Sequence, residues 1–281
     1  MNNSRPLNKY KYAIKHMVKR FIKDDVTAFA AESTYYFILG LVPFLVFLTN
    51  AILFFAAPQI QVIIKFLHYL PQQLEVSMAE NIYRIIQGRS TVWLAIGLFG
   101  ALWTSSQGIN VIIRAMDKIF FKNRNIQNWI TVSIKSLLFT LLITFSLILS
   151  LGMIVFANAL IYVIACYFGI PEMFLEMWNI AKYAIPFTMM IFSLAAFYRF
   201  APAKKCATWP VILVTSLFVT GILLLLTGIY GYYILEISKM GATYGSLIGL
   251  VVLFIWFRLA SMVILTGSEC IMTCEEIKNI K

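Results

Sequence analysis

The sequence predicts an all-α integral membrane protein, a bundle of six transmembrane helices with both termini in the cytoplasm. Three observations carry this. Of 281 residues, 61% are hydrophobic and 12% charged, with a mean hydropathy of +0.84, whereas a soluble domain carries about 45–50% apolar and about 25% charged residues. Six stretches reach the roughly 20 apolar residues needed to cross a hydrocarbon core of about 30 Å. The 23 Lys and Arg, against 12 Asp and Glu, crowd into alternate connecting segments. The surplus apolar surface needs lipid, which excludes a cytosolic enzyme, a disordered chain and a secreted disulfide scaffold.

The chain divides into a basic cytoplasmic arm (1–35), the transmembrane domain (36–267) and a cytoplasmic tail (268–281). In the arm, Tyr10 to Phe29 places Ile14, Met17, Val18, Phe21 and Ile22 at helical spacing, with Lys11, Lys15, Lys19, Arg20 and Lys23 around the rest of the surface. Such a helix lies on the anionic inner leaflet or packs on the base of the bundle. The spans run from Tyr36 to Ala57, Val92 to Ile113, Ser136 to Asn158, Ile180 to Phe200, Trp209 to Tyr232 and Tyr244 to Gly267. The third has no charge before Phe168 and can continue that far as a long, tilted helix. Between the first two, Ile60 to Ile86 is too polar to span and too apolar for water, which predicts two amphipathic helices broken at Pro71 on the outer face.

Charge sets the orientation. The N-terminal arm, the second and fourth connections and the C-terminal tail together hold 16 Lys and Arg, while the opposite side has Lys65, Arg84, Arg89 and Lys239. By the positive-inside rule both termini are cytoplasmic, as an even number of spans requires. More than thirty residues precede the first span and no small-residue cleavage site ends it, so a cleaved signal peptide is not expected. The positive balance reads as orientation signal and phospholipid contact, not as nucleic-acid binding.

Catalytic patterns are nearly absent. Cys166, Cys206, Cys270 and Cys274 are scattered, and His16 and His68 cannot form a zinc or HExxH site. Cys270 and Cys274 share a helical face, as small apolar residues near a membrane boundary or as a palmitoylation or redox pair. No phosphate-binding loop, triad or metal-holding acid cluster appears, and no cofactor is implied. The expectation is a non-enzyme.

Polar residues inside the spans are the informative ones. Thr104, Ser105, Ser106, Gln107 and Asn110 fall within roughly two turns of the second span, where polar groups must find internal partners. They serve interhelical hydrogen bonding, with Gly97, Gly100 and Gly108 admitting close neighbours, or they line a cavity or a broken helix. Arg258 lies near the middle of the sixth span, where a cation costs roughly 2.5–3.5 kcal/mol on insertion scales. It should face the bundle interior, an aqueous cavity or an anionic group. Glu269 is about 16 Å along the helix axis and no direct partner, and Glu32 and Glu236 are the other acids near span ends. Gly241, Gly245 and Gly249 make a small-residue stripe, for packing within the bundle or for dimerisation. Pro43 and Pro186 should kink the first and fourth spans.

Four stretches, DDVTAFAAESTYYFILGLVPFL, LWTSSQGINVIIRAMDKIF, FYRFAPAKK and ATYGSLIGLVVLFIWFRLASMVILTGSE, resemble the YihY/BrkB family of bacterial multi-pass inner-membrane proteins, whose members include a virulence factor linked with serum resistance. The resemblance spans about Lys23 to Glu269. It implies six helices with cytoplasmic termini and no settled activity. The family long carried a ribonuclease label, against which the residues of this chain argue. The family usually has an uncharged residue at the position of Arg258, so a role for Arg258 is particular to this chain or its close relatives.

The expectation is a transport or lipid-handling protein of the bacterial cytoplasmic membrane for a substrate with an anionic head. Arg258, Ser105, Ser106, Gln107 and Asn110 line the pathway, and Arg114 and Arg199 sit at its cytoplasmic mouth. The alternative is an interaction protein that organises envelope machinery through its helix faces and basic arm, with the glycine stripe as a contact for a partner or a second copy.

Overall fold

A computed structural model describes residues 17–56, 88, 90–121, 127–168, 172–203, 207–237 and 242–279. The loop 60–86, Gly241, Cys206 and both histidines lie outside them. Helix α1 covers residues 17–23, and the long helices are α2 (Val26–Ala56), α3 (Thr91–Phe121), α4 (Trp129–Phe168), α5 (Glu172–Phe200), α6 (Trp209–Ile237) and α7 (Ala242–Asn279). Each of these six contains a segment long and apolar enough to cross a membrane. The expected all-helical architecture with six spans is observed.

The helices overrun the spans read from hydropathy. α7 is the clearest case: the segment read as a cytoplasmic tail after Gly267 continues the same helix to Asn279. At 1.5 Å per residue its 38 residues measure about 57 Å, well beyond a core of about 30 Å. α4 does continue to Phe168, over 40 residues, and α2 starts at Val26, inside the segment read as the arm. α2 and α7 differ from their readings because charged residues near those ends are paired, Glu32 with Arg114 and the buried Glu269 with Arg20, whereas hydropathy scores each as the end of a span.

The chain forms two compact units, one of Tyr36–Ser105 and one of Met1–Tyr35 with Ser106–Lys281. In the smaller unit the backbones of α2 and α3 nearly touch. A Cβ built on Gly97 would sit 2.5 Å from the Phe47 nitrogen and 2.9 Å from the Pro43 oxygen, and one on Gly100 would sit 3.0 Å from the Pro43 ring. These glycines admit a close neighbour as their positions suggested, and α2 continues as helix through Pro43. Ser90 caps α3, its hydroxyl accepting from Trp93 N at 3.4 Å while its own N–H donates to Asn50 Oδ1 at 3.1 Å.

In the larger unit α4 packs on α5, α5 on α6 and α6 on α7. Its core gathers at one end, where Val26 and Ala30 of α2, Ile112 and Met116 of α3, Phe197 of α5, Ile212 of α6 and Leu265 and Ile271 of α7 are all buried. Phe139 meets Phe197 edge to face at 5.1 Å. This is the end that holds α1 and the C-terminal turns of α7, the terminal end of the bundle. Large apolar side chains such as Leu138, Phe145, Ile148, Phe218 and Leu225 are exposed along the helices, as a lipid-facing surface requires. Hydroxyls within the spans fold back on their own helices: Thr49, Thr140, Thr188, Thr227 and Thr266 each donate to the carbonyl four residues earlier, so they need no partner from outside.

Candidate functional site

The terminal end concentrates the charge. α1 closes on α2 at Asp25, whose φ of 55° is the left-handed conformation that Asp tolerates better than most residues. This sharp joint turns α1 back against the bundle and brings Arg20 into it. Arg20 Nε lies 3.0 Å from Glu269 Oε2, Nη1 donates to Glu276 Oε1 at 2.7 Å, Nη2 donates to the Ile119 carbonyl at 2.9 Å, and Asp24 is 3.9 Å away. One guanidinium thus ties α1, α3 and α7 together. The opposite face of α1 exposes Val18, Ile22, Lys19 and Lys23. Of the two readings of the arm, packing on the base of the bundle is the one these contacts show, while the other face is apolar and basic in composition.

Two more ion pairs lie alongside. Lys118 Nζ contacts Asp25 Oδ2 at 2.6 Å, and Arg114 Nη2 donates to Glu32 Oε1 at 2.8 Å while its Nε donates to Asn110 Oδ1 at 3.1 Å. Nearby, Ser33 Oγ donates to Ser261 Oγ at 2.9 Å, joining α2 to α7. The Arg114–Glu32 pair is less than half exposed on both sides and leaves the guanidinium edge accessible.

The turn between α5 and α6, with the FYRFAP sequence, is clamped from three helices. Asp117 Oδ1 accepts from Ala203 N at 2.8 Å and Oδ2 accepts from Gln127 Nε2 at 2.8 Å. Lys135 Nζ donates to the Ala201 and Pro202 carbonyls, both at 3.1 Å. Glu275 Oε1 accepts from Thr208 N at 2.9 Å, at the first turn of α6. Arg199 donates to the Ala207 carbonyl and lies over the Trp209 ring at 5.5 Å.

The sequence-derived site residues therefore separate. Asn110 and Arg114 are joined, with Glu32 as the partner that sequence could not assign. Ser106 and Asn110 are buried and Gln107 is half-buried. Ser105 belongs to the smaller unit, where its Oγ would lie 3.1 Å from a Cβ on Gly40. Arg199 serves the α5–α6 turn. Arg258 is exposed and has no partner among the described residues, so it is not turned into the bundle interior. A Cβ on Gly249 would meet nothing within 4 Å, and that position supports no packing among the described residues. Gly245 lies in α7.

Compared with known proteins, a family model described as Virulence factor BrkB matches residues 17–280. The ribonuclease-like protein YfkH of Bacillus subtilis (strain 168) is 26% identical over 257 residues, covering 91% of this chain and 92% of the relative. No solved structure matches.

Proposed function

The chain belongs to the virulence factor BrkB family of multi-pass membrane proteins, and from that premise we propose a transport or lipid-handling function for a substrate with an anionic or amphipathic head. The protein acts in the bacterial cytoplasmic membrane, with its basic terminal end in the cytoplasm, and is not a ribonuclease. The sequence behind the last point has two histidines and scattered cysteines in no recognisable nuclease motif.

Arg258 carries the reading. It lies about 24 Å from the start of α7 and about 32 Å from its end at 1.5 Å per residue, beside the exposed Phe254, Ile255 and Leu259. Acids with described side chains, namely Asp24, Asp25, Glu32, Asp117, Glu269, Glu275 and Glu276, all lie toward the terminal end. Glu32 adjoins Ser33, which bonds Ser261 one turn along α7 from Arg258, but Glu32 is already paired with Arg114, so none of them neutralises Arg258. An anionic group that travels along α7 does meet it, and relieves the roughly 2.5–3.5 kcal/mol that a bare cation costs there. Arg114, with an accessible guanidinium edge, and the half-buried Gln107 supply further polar groups along α3.

Native mass spectrometry of the gently extracted protein and of Arg258→Leu tests this. A lipid or metabolite adduct lost in the variant, with thermal stability retained, supports the reading. An adduct kept in the variant, with stability lowered, assigns Arg258 a structural role instead. Adduct-free spectra of both favour an interaction protein. That second reading draws on Gly249, whose open surroundings leave room for a partner helix.

A further inference from the structure

A groove of about 620 Å³ runs between α6 and α7; Val263, its lining residue nearest Arg258 in sequence, stands five residues on, about 140° around the helix at 3.6 residues per turn. Val214 and Phe218 of α6 form one wall, Val263 and Cys274 of α7 the other, and Met17 of α1 closes the terminal end. All the α6 and α7 residues lie within the membrane-crossing segments Trp209–Leu235 and Ile248–Glu276. The lining is predominantly apolar; of its two threonines, Thr266 donates to the Met262 carbonyl at 2.7 Å and Thr215 is buried. Val214 and Phe218 are more than half exposed, so the groove opens sideways to the lipid phase.

Size and charge select the occupant. One turn of an α-helix with side chains fills about 400 Å³ as a cylinder about 10 Å wide and 5.4 Å tall, so the groove takes little more than one turn of a partner helix. A flexible methylene chain fills it along its length. α1, which supplies Met17, exposes Lys19 and Lys23 beside Val18 and Ile22, and this face favours a phosphate headgroup at the same end. We propose that the α6–α7 groove binds one acyl chain of an anionic phospholipid, with α1 as its end wall. The site deepens the lipid-handling reading and rests on it for the class of substrate, while using none of the residues around Arg258.

Photo-crosslinking tests it in proteoliposomes doped with phosphatidylglycerol or phosphatidylcholine carrying a diazirine on one acyl chain. Adducts should concentrate on residues 210–222 and 263–274, more with phosphatidylglycerol. Val214→Trp, which displaces about two methylenes, should lower them roughly tenfold while adducts on the exposed α4 face at Leu138, Phe145 and Ile148 persist. Wild-type protein gives an independent readout, because added phosphatidylglycerol should slow maleimide labelling of the free thiols Cys270 and Cys274. Adducts as dense on α4 as in the groove, or labelling unchanged by lipid, overturn the proposal. So does a dimer whose contact protects the groove. Arg258→Leu should leave the groove adducts intact, so failure of the transport reading and failure of this site are told apart.

Discussion

Arg20 Nε lies 3.0 Å from Oε2 of Glu269, a carboxylate with 0% exposure whose oxygens accept no well-aligned hydrogen bond. The contact is therefore an ion pair made by proximity, and its two charges depend on each other. Removing one partner from a buried pair typically costs about 3–5 kcal/mol, because it strands the other charge. Arg20→Leu should lower the unfolding temperature in detergent markedly and free α1 to proteases. The double variant Arg20→Met with Glu269→Leu should recover most of the loss, since apolar replacement of a whole buried pair is often neutral or stabilising. Equal loss in the single and double variants would show that Arg20 acts through Glu276 and the Ile119 carbonyl alone.

Glycines separate close packing from open surface. Gly97→Ala places a methyl against the Phe47 backbone, which has no soft atom to yield, and the strain should cost about 1–3 kcal/mol. Gly249→Ala meets open space and replaces Gly within a helix, so it should be neutral or stabilise by up to about 1 kcal/mol. Thermal melts of the two variants in one detergent check the contrast. A loss at Gly249 comparable with that at Gly97 would reveal a partner helix on that face.

The legible part of the fold was the part that hydrophobicity dictates. Runs of about 20 apolar residues have no stable alternative to spanning a bilayer, so six helices and their order were readable. Their ends were not, because pairing decides them. Glu269 scores as an end to the sixth span when read alone, yet opposite Arg20 it is buried and α7 runs on to Asn279. The candidate site was legible to the same extent. Arg114 and Asn110 are joined within one helix at i, i+4, a spacing that sequence shows, whereas Glu32 comes from another helix and sequence gives no register between them. The contacts of Arg199 were illegible for the same reason, since its acceptor, the Ala207 carbonyl, is fixed by a turn that Asp117 holds.

That turn supplies a test of its own. Both Asp117 oxygens accept hydrogen bonds, and Lys135 stands by on the neighbouring carbonyls. Asp117→Asn keeps an oxygen for Ala203 N but turns an N–H₂ toward Gln127 Nε2, placing donor against donor. Loss of one partner of a buried hydrogen bond costs about 1–3 kcal/mol. Limited proteolysis should cut the α5–α6 turn of Asp117→Asn faster than that of wild type, and Asp117→Ala faster still. Cutting at an unchanged rate in both would show that Lys135 and Glu275 hold the turn without it.

The last prediction separates stability from function at Arg258. If the guanidinium faces lipid without a partner in the resting protein, replacing it with Leu removes an insertion cost of roughly 2.5–3.5 kcal/mol. Arg258→Leu should therefore melt no lower than wild type and often higher, which is the reverse of what a structural ion pair would give. Arg258→Lys keeps the charge but loses the planar fork that grips a phosphate or carboxylate in two bonds, so it should retain the wild-type melting behaviour and lose ligand adducts only in part. A graded series of adducts, wild type above Lys above Leu, together with flat or rising stability, is the pattern that an anion-binding side chain produces. Falling stability along the same series would mean that Arg258 has found an anionic partner within the protein, and the transport reading would then lose its main support.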